Sequence, residues 1–104
     1  MGDALDTLLR PSSVAVVGAS DEPFVFSGAP LHNLRAHGFT GAIYAVNPRR
    51  TTVQGLPCHP SILDVPGDVD TVVITVPAAA AVEVLAQCEQ RGVRSATVVS
   101  TGFG

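Results

Sequence analysis

Three short aliphatic runs limit what this chain can fold into. They are VAVV within residues 13–18, TVVITV at 71–76 and ATVV within 96–100. None of them alternates with polar residues. A strand with one wet face alternates, whereas a strand covered on both faces does not, and doubly covered strands belong mostly to parallel sheets. AIYAV at 42–46 reads the same way, and a weaker fifth candidate lies at 56–59.

Helical stretches separate these runs. Residues 78–91, AAAAVEVLAQCEQR, place Ala81, Val84, Leu85 and Cys88 at i, i+3, i+4 and i+7, and Gly92 ends the pattern. Residues 29–37 set Leu31 and Leu34 on one side, and Gly38 follows as a natural C-terminal glycine. Pro30 is tolerated only in a first turn, which puts that helix start near Ser27 or Gly28. SILDV at 61–65 forms a single turn with Ser61 as its N-cap, and a short helix at 4–9 precedes Pro11. The order β-α-β-(short β-α)-β-α-β predicts an α/β fold: a Rossmann-like, doubly wound, mainly parallel sheet of about five strands with helices on both faces.

With 104 residues the chain fits one small domain, residues 1–104. It stops at STGFG, just past the last strand, where a helix and more sheet normally follow; the expectation is the N-terminal piece of a longer protein. No run of 18 apolar residues is present, so no membrane partner is expected. The start, MGDALDTLLRPSS, carries early acids and no basic segment, unlike a signal peptide, so a cytoplasmic location is expected. Cys58 and Cys88 lack C-x-x-C spacing and read as two reduced thiols. The net charge is −3 and all six basic residues are Arg, too few for a nucleic-acid footprint. The pair Arg49 and Arg50 is enough to meet one phosphate.

In an open parallel sheet, ligands bind beyond the carboxyl ends of the strands, at the switch point. Four segments reach that rim: GASDEPFVFSG, NPRR, VPAAA and STGFG. In the first, Gly18 allows a backbone conformation that side chains forbid and a close ligand approach. Ser27 and Gly28 fall where the next helix begins, so its free N–H groups suit an anion. The fingerprint G-x-G-x-x-G is incomplete, since Gly18 stands alone. A nicotinamide-binding fold carries an acid at the end of its second strand for the ribose hydroxyls. Here that place reads Asn47-Pro48-Arg49-Arg50, and guanidinium matches phosphate in charge and geometry. The ribose is therefore expected to carry a phosphate, at the 2′ position in NADP or the 3′ position in coenzyme A. In the third loop Val76, Pro77 and the alanines after them form an apolar ledge for an adenine or a pantetheine arm.

Taken together, LLRPSSVAVVGAS, GAPLHNL, GFTGAIYAVNPRR, GLPCHPSI, VDTVVITVPA and VVSTGF resemble the CoA-binding domain of the NDP-forming acyl-CoA synthetases, the family that includes the alpha subunit of succinyl-CoA synthetase. The resemblance spans nearly the whole chain. It implies coenzyme A held across the strand ends: a phosphate loop at Gly18, Ala19, Ser20, Ser27 and Gly28; a basic contact in the loop Asn47-Pro48-Arg49-Arg50, at Arg49 or Arg50; and further contacts at Val76, Pro77, Ser100, Thr101 and Gly102. It also implies partners, namely downstream ligase and nucleotide-grasp domains or subunits, which interconvert acyl-CoA, NDP and phosphate with acid, CoA and NTP. A fused acetyltransferase domain occurs in the same family. Phe24 and Phe26 depart from its small-residue loop. The family's phosphorylated histidine belongs to a following domain; His32, His37 and His59 match no catalytic motif, and neither a catalytic nor a metal residue is expected. Two other classes stay open on the residues alone: an NADP-binding oxidoreductase or redox sensor, and a stand-alone CoA-binding regulator.

Overall fold

The computed structural model describes residues 13–20, 29–36 and 38–99. The elements are β1 (Ser13–Val17), α1 (Ala29–Ala36), β2 (Ala42–Val46), β3 (Thr52–Val53), β4 (Leu56–His59), a 3-10 turn (Ile62–Asp64), β5 (Thr71–Ile74), α2 (Ala78–Arg91) and β6 (Ser95–Val98). They build one six-stranded sheet in the order β3-β4-β2-β1-β5-β6, parallel except for the antiparallel β3–β4 pair. The short helix at 4–9 falls outside the described residues.

All five residues of β1 are buried. The two-residue side-chain period of its parallel register sorts them into two cores. Ala15 and Val17 join Val46, Val72 and Ile74 on one face. There they meet Ala81, Val84 and Cys88 of α2 and Ile62, Val65 and Val69 around the 3-10 turn. Val14 and Val16 join Ala45 and Val73 on the other face, under Leu31 and Leu34 of α1, with Phe39, Val53 and Leu56 at the margin. This is the doubly wound arrangement with helices on both faces. Burial raises the Cys88 thiol above the ordinary pKa, which keeps it protonated.

Both glycine stops act as the sequence predicts. Gly92 takes the left-handed conformation at φ 69°, and Val93 N–H bonds Cys88 O at 3.1 Å. Gly38, at φ 75°, is followed by the equivalent bond from Phe39 N–H to Leu34 O at 3.0 Å. This six-to-one closure satisfies carbonyls that the last helical turn leaves open. Ser61 caps the 3-10 turn, its Oγ accepting from Leu63 N–H. Pro30 is the second residue of α1, inside the first turn that proline tolerates.

The structure corrects three expectations. The sheet has six strands, because Thr52 and Val53 pair with Pro57 and Leu56 across a two-residue turn. A two-residue strand is too short to produce any periodicity. Second, among the described residues the last run is not covered on both faces: in β6, Ala96, Thr97 and Val98 are exposed. Third, Leu85 of α2 is 41% exposed; it sits on the flank of the apolar stripe instead of its centre. The strands at 71–76 and 96–100 also begin or end one or two residues from the expected bounds, at Ile74 and at Ser95 and Val98. Among the described residues, no helix is long and apolar enough to cross a membrane.

Leu31, fully buried, is the side chain that fastens α1 to its face of the sheet. Leu31→Ala is expected to destabilise the fold by about 2–5 kcal/mol. Leu85→Ala, on the exposed flank of α2, should cost less than about 1 kcal/mol. Denaturant titration of the two variants checks the contrast.

Candidate phosphate-binding site

The chain leaves β1 toward β2 on one side and later returns to β5 on the other, so the crevice opens between β1 and β5. Hydrogen bonds extend the ladder past the strand ends. Gly18 N–H bonds Val46 O at 2.8 Å, Thr75 N–H bonds Val17 O at 2.9 Å, and Asn47 N–H bonds His59 O at 2.9 Å. The first, second and third loops therefore start from a shared rigid base.

Gly18 has φ 88°, a region side chains rarely occupy. A Cβ there would lie 2.6 Å from Thr75 Oγ1 and 3.0 Å from Val76 Cγ1. The atoms that require glycine here belong to the protein's own β5 end. The Thr75 hydroxyl is buried and donates to Val17 O at 2.8 Å, which fixes it against this glycine. Sequence reasoning assigned the close approach to a ligand, because it could not see which strand lies beside β1.

Ala19 is fully buried in the α1-side core, so it offers the site its backbone alone. Ser20 is half-buried. Asn47 joins the first two loops: its Nδ2 donates to Ala19 O at 3.0 Å, and its Oδ1 accepts from Arg49 N–H at 2.9 Å. That Asx turn, with Arg50 N–H bonding Asn47 O at 3.3 Å, displays Pro48, Arg49 and Arg50 on the exposed rim. Val76 is half-buried against the α2-side core. Pro77 is exposed and occupies the N-cap of α2, one position before the expected first helical residue. Ser27, Gly28, Ser100, Thr101 and Gly102 lie outside the described residues, as do Phe24 and Phe26. His59 is half-buried with its ring edge-on to Tyr44, centroids 6.3 Å apart, in keeping with a structural role.

Sequence reasoning missed Gln54 and Thr75. Gln54 stands at the tip of the β3–β4 hairpin, at φ 49°, and its Nε2 donates to Ser20 O at 2.8 Å. The signal for it was the Gln54-Gly55 dipeptide between two short extended pieces, a weak turn mark beside Asn-Gly. A hollow of about 250 Å³ opens beside the strand ends and the first half of α2, lined by Val17, Val46, Pro48, Val76, Glu83 and Gln87. A second hollow of about 450 Å³ lies on the other face, between α1 and Val73; its lining of Pro30, Asn33, Leu34 and Phe39 offers no charge to hold a phosphate.

A family model described as a CoA binding domain matches residues 12–102. The chain belongs to this family of CoA binding domains. Among curated proteins it is 46% identical over 99 residues to acetate–CoA ligase [ADP-forming] II of Archaeoglobus fulgidus, covering 95% of this chain and 15% of that protein. It is 38% identical over 105 residues to acetate–CoA ligase [ADP-forming] I subunit alpha of Pyrococcus furiosus, covering 97% of this chain and 23% of that subunit. Among solved structures, it superposes with a TM-score of 0.88 and 42% identity on a dinucleotide-forming acetyl-coenzyme A synthetase 1 of Ca. Korarchaeum cryptofilum in complex with phosphate and ADP. That match covers 99% of this chain and 22% of the synthetase chain. The chain thus corresponds to a small part of each of these relatives.

The donor set of this CoA binding domain fits its ligand class. Coenzyme A is anionic at its 3′-phosphate and pyrophosphate and largely apolar along its pantetheine arm. The rim offers two guanidiniums, a backbone loop fixed at Gly18, Ala19 and Ser20, and a mostly apolar hollow a short distance away.

Gly18→Ala is expected to destabilise the domain by roughly 2–4 kcal/mol, from the positive φ and the crowding against Thr75 together. Because Thr75 Oγ1 is the nearest obstacle, Gly18→Ala and Thr75→Ala should not add. The double variant should be less destabilised than the sum by about 1 kcal/mol or more. Chemical denaturation of the four proteins in this cycle checks it.

Proposed function

We propose that this chain is the CoA-holding domain of an NDP-forming acyl-CoA synthetase, non-catalytic by itself, acting in the cytoplasm. In the proposed site the pyrophosphate rests on the loop of Gly18, Ala19 and Ser20 and continues to Ser27 and Gly28. The 3′-phosphate meets the rim of Asn47, Pro48, Arg49 and Arg50. The ledge of Val76 and Pro77 and the segment Ser100, Thr101 and Gly102 take the rest of the ligand. When bound, CoA supplies the thiol that accepts the acyl group in the parent reaction, acid + CoA + NTP ⇌ acyl-CoA + NDP + phosphate. What this chain contributes is binding and orientation; the phosphorylated histidine and the nucleotide site belong to further domains or subunits.

The observation that carries this proposal is the guanidinium pair exposed at the carboxyl end of β2, where a nicotinamide fold sets a carboxylate, on a chain matched over residues 12–102 by the CoA binding domain family. Arg49 and Arg50 would suit the 2′-phosphate of NADP equally well on charge alone. Family membership favours CoA. It is also supported by relatives named as acetate–CoA ligases, of which this chain covers 15% and 23%.

Titration calorimetry separates the ligands. CoA should bind more tightly than dephospho-CoA by about tenfold or more, since one charge-assisted hydrogen bond is worth roughly 1.5–3 kcal/mol. Arg49→Ala combined with Arg50→Ala should erase that difference, and NAD should not bind measurably. Equal affinity for CoA and dephospho-CoA in the wild-type chain would remove the phosphate role given to the arginines.

A further inference from the structure

We propose that Gln54 is a positioning residue for the phosphate loop: from the hairpin tip it holds the Ser20 carbonyl, so that this acceptor does not turn toward the pyrophosphate. The proposal rests on the CoA assignment of this site.

The hairpin is placed for this. Val53 and Leu56 pair across a two-residue turn made by Gln54 at φ 49° and Gly55 at φ 81°. Positive φ at both central residues defines the turn type that matches strand twist, and Asn, Asp or Gly normally fill its first position. Glutamine is a poor choice on backbone grounds. Its longer side chain does what those residues cannot: Nε2 reaches Ser20 O at 2.8 Å, 34 residues back in the chain. The Gln54 carbonyl in turn accepts from Arg35 Nη1, near the end of α1. One turn residue therefore links the start of the first loop to the helix that follows it.

Asn47 performs the neighbouring task. Its side-chain amide holds Ala19 O at 3.0 Å. Two successive carbonyls of the loop are thus each gripped by a side-chain amide, one from the β2 loop and one from the hairpin. In a planar trans peptide the C=O and the N–H of the same unit point in opposite directions, and the described residues contain no cis peptide bond. Pinning Ala19 O therefore fixes where the Ser20 N–H aims, and pinning Ser20 O keeps that acceptor from swinging round. An anion needs those N–H groups, and a carbonyl oxygen swung toward it repels. Preorganising both units before binding removes an ordering cost that the ligand would otherwise carry.

The residue type makes the test clean. Gln54→Gly removes the amide donor while giving the turn a residue that accepts positive φ. In the 104-residue chain it should leave the melting temperature unchanged or higher. It should weaken CoA and dephospho-CoA by the same factor, about tenfold, because both carry the pyrophosphate. The CoA to dephospho-CoA ratio and the binding stoichiometry should stay as in wild type, unlike the arginine variants, which collapse the ratio. Gln54→Glu, which sets a second acceptor against Ser20 O, should bind more weakly still. Without ligand, backbone carbonyl ¹³C relaxation should show a lower order parameter at the Ser20 carbonyl in Gln54→Gly than in wild type. An unchanged Ser20 carbonyl, or wild-type affinity for CoA in Gln54→Gly, overturns the proposal. A wild-type chain that fails to bind CoA sinks the ligand assignment instead, while the relaxation measurement still decides whether Gln54 holds the loop.

Discussion

The structure depends on how β1 ends. This strand lies in the middle of the sheet, with β2 on one edge, β5 on the other and a core over each face. Its carboxyl end is the place where the chain's two halves part, and Gly18 sits there in the left-handed region with Thr75 and Val76 pressed against it. A Cβ at this point would force β5 away from β1 or turn the loop out of register. Close packing of the two strand ends brings the first loop, the Asn47 turn and the start of α2 onto one rim.

From that base the start of the loop, at Ala19 and Ser20, is held by polar contacts. A dinucleotide fingerprint uses glycines to press a pyrophosphate onto a helix N-terminus. Here Asn47 grips Ala19 O and Gln54 grips Ser20 O, so side-chain amides hold the two residues that follow Gly18. The arginines are presented by the same Asx turn that frees no backbone group of Asn47: its N–H goes to His59 O and its O accepts from Arg50 N–H. The Cys58 thiol also points at that oxygen, at 3.6 Å. Within a few residues the chain turns from the engaged asparagine to arginines on the exposed rim.

Much of this was legible in the sequence because it follows from local chemistry. Aliphatic runs without alternation marked β1, β2 and β5; glycine stops marked the ends of α1 and α2; Ser61 marked its cap. The residues that escaped reading depend on what lies across the sheet. Nothing local tells that Thr75 and Val76 crowd Gly18, so the neighbours that require glycine there were not legible. Thr52 and Val53 are too few for a periodic signal, and Gln54 hides its turn because glutamine is unusual there. The last strand shows that a run such as ATVV reads alike whether or not anything covers it: composition reports what a strand can bury, and the neighbours decide what it does bury. Likewise the motif placed Asn47 on the rim without showing that its side chain joins two loops.

The measurement that bears most directly on this account is an amide chemical-shift map of the 104-residue chain titrated with coenzyme A. If the ligand lies across the strand ends, the largest shifts fall on Gly18, Ala19, Ser20, Arg49 and Val76. Shifts confined to Leu34, Phe39 and Val73, around the apolar hollow on the α1 face, would contradict it.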